Sequence, residues 1–166
     1  MKKILTLAAC ILYMSPAQAA DDPGGWTGAK WGMSADQILQ ALPDQAVRLN
    51  PPEKYNHATA HIPSFQLAGA SFHVYFIPDN DGHLKSVVFS PLDVTREGLD
   101  FLFQRLQNLL IEKYGRPWKS TEQANTEIQW TFKTTTIILS RTQVKDFGTQ
   151  FVSLRYKQKE SDLDKM

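Results

Sequence analysis

The sequence predicts an α+β protein in which two αβββ units form one antiparallel sheet packed by two helices. Three observations predict it. Between Thr95 and Pro117, apolar residues recur at three- and four-residue steps. On either side of that stretch, apolar and polar residues alternate with a period of two. The order helix, three strands then occurs twice, with helices starting near Ala35 and Arg96 and last strands near Leu84 and Gln150, offsets of 61 and 66 residues. A single helix–sheet unit leaves much of its apolar surface uncovered, so joining two into one sheet is physically sensible, and a plain α+β meander without duplication is the alternative that the sequence leaves open.

The longer helix has the clearest pattern. Leu99, Leu102, Phe103, Leu106, Leu109, Leu110 and Tyr114 form its buried stripe, and Asp100, Gln104, Arg105, Gln107, Asn108, Glu112 and Lys113 fill the other side. Phe101 and Ile111 fall off the stripe. Thr95 suits the N-cap, and Gly115 and Pro117 suit the stop. The shorter helix opens at Ser34, with Gln37 three residues on as a capping box and Met33 and Ile38 as a hydrophobic staple. Asp36 complements the dipole of its first turn, and Pro43 ends it.

The strands follow from alternation. Val47 to Leu49 is a brief strand, and Asn50 to Thr59, with Pro51 and Pro52, is a loop. From Phe65 the period is two: Phe65 and Leu67 precede Gly69, and Phe72, Val74 and Phe76 then alternate with His73, Tyr75 and Ile77. Pro78-Asp79-Asn80-Asp81-Gly82 is a turn, and Leu84 to Ser90 returns, completing a three-stranded meander. In the second unit Ile128, Trp130 and Phe132 alternate with polar residues, and Thr136 to Arg141 and Phe151 to Lys157 are the next two strands.

The chain opens with Lys2 and Lys3, an apolar run from Ile4 to Met14, and Ala17-Gln18-Ala19, the pattern of a secretory signal peptide cleaved after Ala19. A rival reading takes Leu7-Ala8-Ala9-Cys10 as a lipoprotein box, but it strands Ile11 to Met14 in the mature chain. The expected organisation is a signal peptide over 1–19, one α+β domain over 20–158 with units about 31–92 and 93–158, and a frayed tail over 159–166. The destination expected for a bacterial signal of this kind is the periplasm. Cys10 is the only cysteine, so the mature chain of about 147 residues has no thiol for disulfides, nucleophilic catalysis or metal binding. Loss of Lys2 and Lys3 takes the net charge from +1 to −1, with no basic run to hold nucleic acid and no further apolar run to span a membrane. Ala20 to Lys30, with Pro23, Gly24 and Gly25, reads as a mobile lead-in whose last part is flanked by Trp26 and Trp31, and these large aromatics are expected to pin it to the body of the domain.

Trp31-Gly32-Met33-Ser34, opening a short helix that runs to Leu42 and precedes a β-meander, resembles a recurring unit of bacterial envelope proteins. It is similar to the small lipoprotein subunit of the outer-membrane β-barrel assembly machine and to the tandem units of β-lactamase-inhibitor proteins. The same opening resembles many secreted bacterial proteins of unknown function. The resemblance implies a module without catalytic activity whose sheet or loops dock another envelope protein.

The search for chemistry is mostly negative. No zinc-protease helix, nucleophile elbow or Walker-type loop occurs. His57 and His61 are four apart, but Pro51, Pro52 and Pro63 argue against a helix there, and no third metal ligand is evident. Asp79, Asp81 and Gly82 fit a hairpin turn better than a calcium loop. Asp93, Glu97 and Asp100 offer paired carboxylates, yet acids at a helix start serve its dipole. No cofactor is implied. The candidate binding residues are Trp26, Trp31, His73, Tyr75, Ile77 and Phe101: aromatic and apolar side chains in polar surroundings, which mark a partner face when they lie exposed together. The leading expectation is a protein-binding accessory or inhibitor-type module. The alternatives are a hydrolase with an undeclared active site and a saccharide binder using exposed tryptophans.

Overall fold

A computed structural model of the chain describes residues 20–50, 57–121, 125–144 and 149–160. The expected signal peptide (1–19), most of the 50–59 loop and the end of the tail (161–166) lie outside the described residues. Both helices form where their caps predict. In α1 (Ala35–Ala41) the Ser34 hydroxyl accepts from the Gln37 N–H, and the Gln37 side chain accepts from the Ser34 N–H at 2.8 Å. In α2 (Arg96–Tyr114) the Thr95 hydroxyl accepts from the Gly98 N–H, and Gly115 stops the helix with a φ of 79°. Leu99, Leu102, Phe103, Leu106 and Leu110 are its buried residues.

The strands are β1 (Gly25–Trp26), β2 (Ala29–Lys30), β3 (Val47–Arg48), β4 (Ala60–Leu67), β5 (Ala70–Pro78), β6 (Leu84–Pro91), β7 (Lys119–Thr121), β8 (Thr126–Thr131), β9 (Thr135–Val144) and β10 (Thr149–Gln158). Among the described residues β1 and β2 form a small hairpin, and the others form one antiparallel sheet in the order β3-β4-β5-β6-β10-β9-β8-β7. The register carries one apolar row straight across it: Val74, Phe89, Leu154, Leu139 and Ile128 pair in succession from β5 to β8. Side chains alternate between sheet faces, so this row and the parallel row Phe76, Val87, Tyr156, Ile137 and Trp130 share one face. Both helices contribute to the same core, through Ile38 and Leu42 from α1 and the buried residues of α2.

Three expectations need correction. The first meander strand begins at Ala60, five residues before Phe65, because the pairing with β5 continues across an irregularity between Ile62 and Phe65. That bulge absorbs Pro63, which has no N–H for the ladder. A short strand, β7, precedes the second meander and pairs with β8. The glycine-rich lead-in is a structured part of the domain: Thr27 and Gly28 turn with positive φ between β1 and β2, and the hairpin inserts Trp26 into the core. Asp22 accepts hydrogen bonds from the Thr134 and Gly24 N–H groups, and the Trp31 indole donates to the Thr135 hydroxyl at 2.9 Å.

Three carboxylates record their folded-state hydrogen bonds in their acidity. The Asp79 carboxyl lies below the ordinary 3.8 chiefly because the His83 N–H donates to it, with Asp81 adding a second N–H. Asp100 is lowered by Gln150 and then Arg141. For Asp22, burial alone works upward, and the donors from Thr134, Gly24 and Thr135 together outweigh it. A depressed folded-state value stabilises the fold above the unfolded value and loses that contribution as pH falls through the folded value. The contribution of these three carboxylates is therefore expected to be lost as pH falls below about 4. Urea unfolding above and below that pH checks it, and Asp79→Asn should flatten the acid limb relative to the parent chain.

Candidate functional site

Among the described residues both helices contribute to the core on one face of the sheet, and the opposite face carries side chains from the strands. Its central row runs His61, Tyr75, Val88, Arg155, Ile138 and Gln129 across β4, β5, β6, β10, β9 and β8. Among the described residues no helix packs over this row. Val88 is nevertheless 1% exposed, with its two register neighbours, Tyr75 and Arg155, flanking it.

The most organised cluster on this face comes from β4 and β5. His73 and Tyr75, two apart on β5, stack with ring centroids 4.1 Å apart and planes at 19°. His61, opposite Tyr75, brings its ring to 4.7 Å from His73. The Tyr75 hydroxyl lies 3.1 Å from His73 Nδ1, and His73 Nε2 meets His61 Nδ1. A neutral imidazole has one donor and one acceptor nitrogen. In the neutral state the three groups therefore form a directional chain: if Tyr75 donates to Nδ1, His73 donates onward from Nε2, and the reverse order is the other possibility. Ile77 continues the same face beside Ser86. Farther out, Val47, opposite His61, is 50% exposed, and Phe151, opposite Thr142, is 57% exposed.

The six sequence-derived candidates thus divide. His73, Tyr75 and Ile77 lie together on the open face. Phe101 is 70% exposed on α2, on the helical side of the sheet. Trp26 is buried, edge-on to Phe65 at 5.1 Å and to Phe89 at 5.0 Å, so it is no exposed saccharide platform. Trp31 is half-buried and tied to Thr135. His61 was missed as a partner of His73 because sequence spacing coupled it to His57, which occupies a turn with a φ of 59°. Starting β4 at Ala60 would have revealed it, since period-two pairing sets His61 against Tyr75. Phe151 falls on the polar side of its strand's alternation, and that misplacement was its available signal.

Of the three candidate acids, Asp100 is engaged by two side chains. Its Oδ1 accepts from Arg141 Nη1 and Gln150 Nε2, both at 2.8 Å. A carboxylate held ionised in this way is a structural anchor for the start of α2 and a poor general acid near neutrality. Among the described residues no three histidine, cysteine, aspartate or glutamate side chains are placed to hold a metal ion, and no helix is long and apolar enough to cross a membrane. No family model, curated protein or solved structure matches the chain.

Proposed function

We propose that this chain is a protein-binding accessory module of the bacterial cell envelope, exported to the periplasm by residues 1–19, that docks another envelope protein through the open face of its sheet. The observation that carries the reading is the one-sided architecture: both helices share the core face, while the opposite face combines the His61–His73–Tyr75 cluster with exposed Val47 and Phe151. Aromatic and apolar groups set among polar neighbours on a broad surface are the composition of a protein interface. The resemblance to envelope modules with tandem αβββ units points the same way.

We also read the domain as two copies of one unit. What supports this is the symmetry of the strand order. Each helix is followed by a short strand and three longer ones, and the last strand of each set, β6 and β10, meets its counterpart at the centre.

The test uses the chain lacking residues 1–19 as bait in envelope extract, followed by reconstitution with the purified partner it captures. Tyr75→Glu and Phe151→Glu on the open face are expected to weaken the reconstituted complex at least tenfold, while Phe101→Glu on α2 leaves it unchanged. A complex lost with Phe101→Glu but retained in both open-face variants would move the interface to the helical side. Hydrolysis of a generic substrate panel, lost on changing His73 or Asp100, would replace the binding reading with an enzyme.

A further inference from the structure

On the other side of the sheet, α2 does not close completely over the core. A cavity of about 510 Å³ remains between its second half, the end of β4 and the β1–β2 hairpin. Trp26, Phe65, Leu106 and Leu154 contribute apolar walls, and Leu109, 41% exposed, stands at the mouth. Tyr156 lines the cavity too, with its hydroxyl 3.4 Å from that of Tyr114. The size and apolar lining match those of small-molecule sites. Leu109 and Glu112 also border a shallower hollow of about 380 Å³ that contains Arg105. Arg105 reaches across to donate to the Ala68 carbonyl at 3.2 Å. Arg105 borders only the shallower hollow and Lys113 only the cavity, while Glu112 borders both. Across the two together the cations outnumber the carboxylate, so an anionic head is favoured on the Arg105 side, away from Glu112.

We propose that this cavity binds a free single-chain amphiphile with an anionic head, its chain lying against Trp26 and Leu106 and its head beside Arg105. The geometry makes two separable demands. The chain gains affinity by leaving water, about fourfold for each methylene buried, until the cavity is full. The head gains from a guanidinium that is already oriented by its bond to Ala68 and retains further donors for a carboxylate.

Calorimetric titration of the chain lacking residues 1–19 with saturated carboxylates of eight to fourteen carbons, each below its micelle concentration, and with the matching alcohols tests both demands. Affinity should rise with chain length and then level off, with carboxylates tighter than alcohols. Arg105→Gln should erase the preference for carboxylate and leave the alcohols unchanged. Leu109→Asp, at a solvent-facing position, should weaken both classes at least tenfold while thermal melting shows the fold intact. Absence of binding, or binding that Leu109→Asp does not alter, overturns the cavity assignment. A carboxylate preference that survives Arg105→Gln overturns the assignment of the head. Cosedimentation with phosphatidylglycerol vesicles without uptake of the free chains would make the site a membrane contact and overturn the proposal.

Discussion

Phe89→Ala is expected to destabilise the domain by about 3–5 kcal/mol, the range for removing a buried aromatic side chain. Phe89 has no exposed surface. It sits on β6 between Val74 of β5 and Leu154 of β10, where the two halves of the sheet meet. Its ring lies 5.0 Å from Trp26, 6.1 Å from Phe72 and 6.0 Å from Tyr156. The alanine therefore loses transfer free energy and leaves a hole bounded by rings from three strands, which rigid neighbours cannot collapse to fill. Domains of this kind are stable by about 5–15 kcal/mol, so the loss is a large share of the total. Urea unfolding monitored by tryptophan fluorescence measures it. A loss below about 1.5 kcal/mol, well under the usual cavity cost, would mean that Phe89 is not at the centre of the core.

Gly25→Ala is the second large effect, expected near 3 kcal/mol from steric overlap and backbone strain together. Gly25 has a φ of +145°, and a methyl group there would overlap the Ala29 carbonyl oxygen and lie 2.8 Å from Lys30 Cα. Both obstacles are backbone atoms of the paired strand β2, so neither moves without opening the hairpin. Opening it withdraws Trp26 from the core, so a red shift of the native-state tryptophan emission should accompany the loss of stability. Gly24→Ala is the control: its added methyl meets nothing within 4 Å, so its cost is limited to its positive φ of 57°.

What could be read from the sequence was local. The capping box at Ser34 and Gln37, the Thr95 cap and the Gly115 stop involve residues within one turn of each other. The leucine stripe of α2 was legible for the same reason, except at its margin. Leu109 lies roughly 80° from the centre of the buried arc at 3.6 residues per turn, and it emerges at the mouth of the cavity. The lead-in was misread because glycines signal freedom in a sequence, whereas here positive-φ positions are what let β1 turn back on β2. The candidate sites were legible only as residue types. His61 meeting His73, and Arg141 reaching Asp100 from 41 residues away, depend on register and on helix placement, which no short window of sequence contains.

The position of β10 bears on how the molecule comes into being. The middle of the sheet is made by β10, the last of the described strands, which inserts beside β6 and completes the partnership of Leu154 with Phe89. Contacts so distant along the chain form slowly, since a long loop must close first. A nascent or truncated polypeptide lacking residues 149–158 leaves the apolar side of β6 without its neighbour, so this domain is completed only after synthesis has delivered nearly the whole of it.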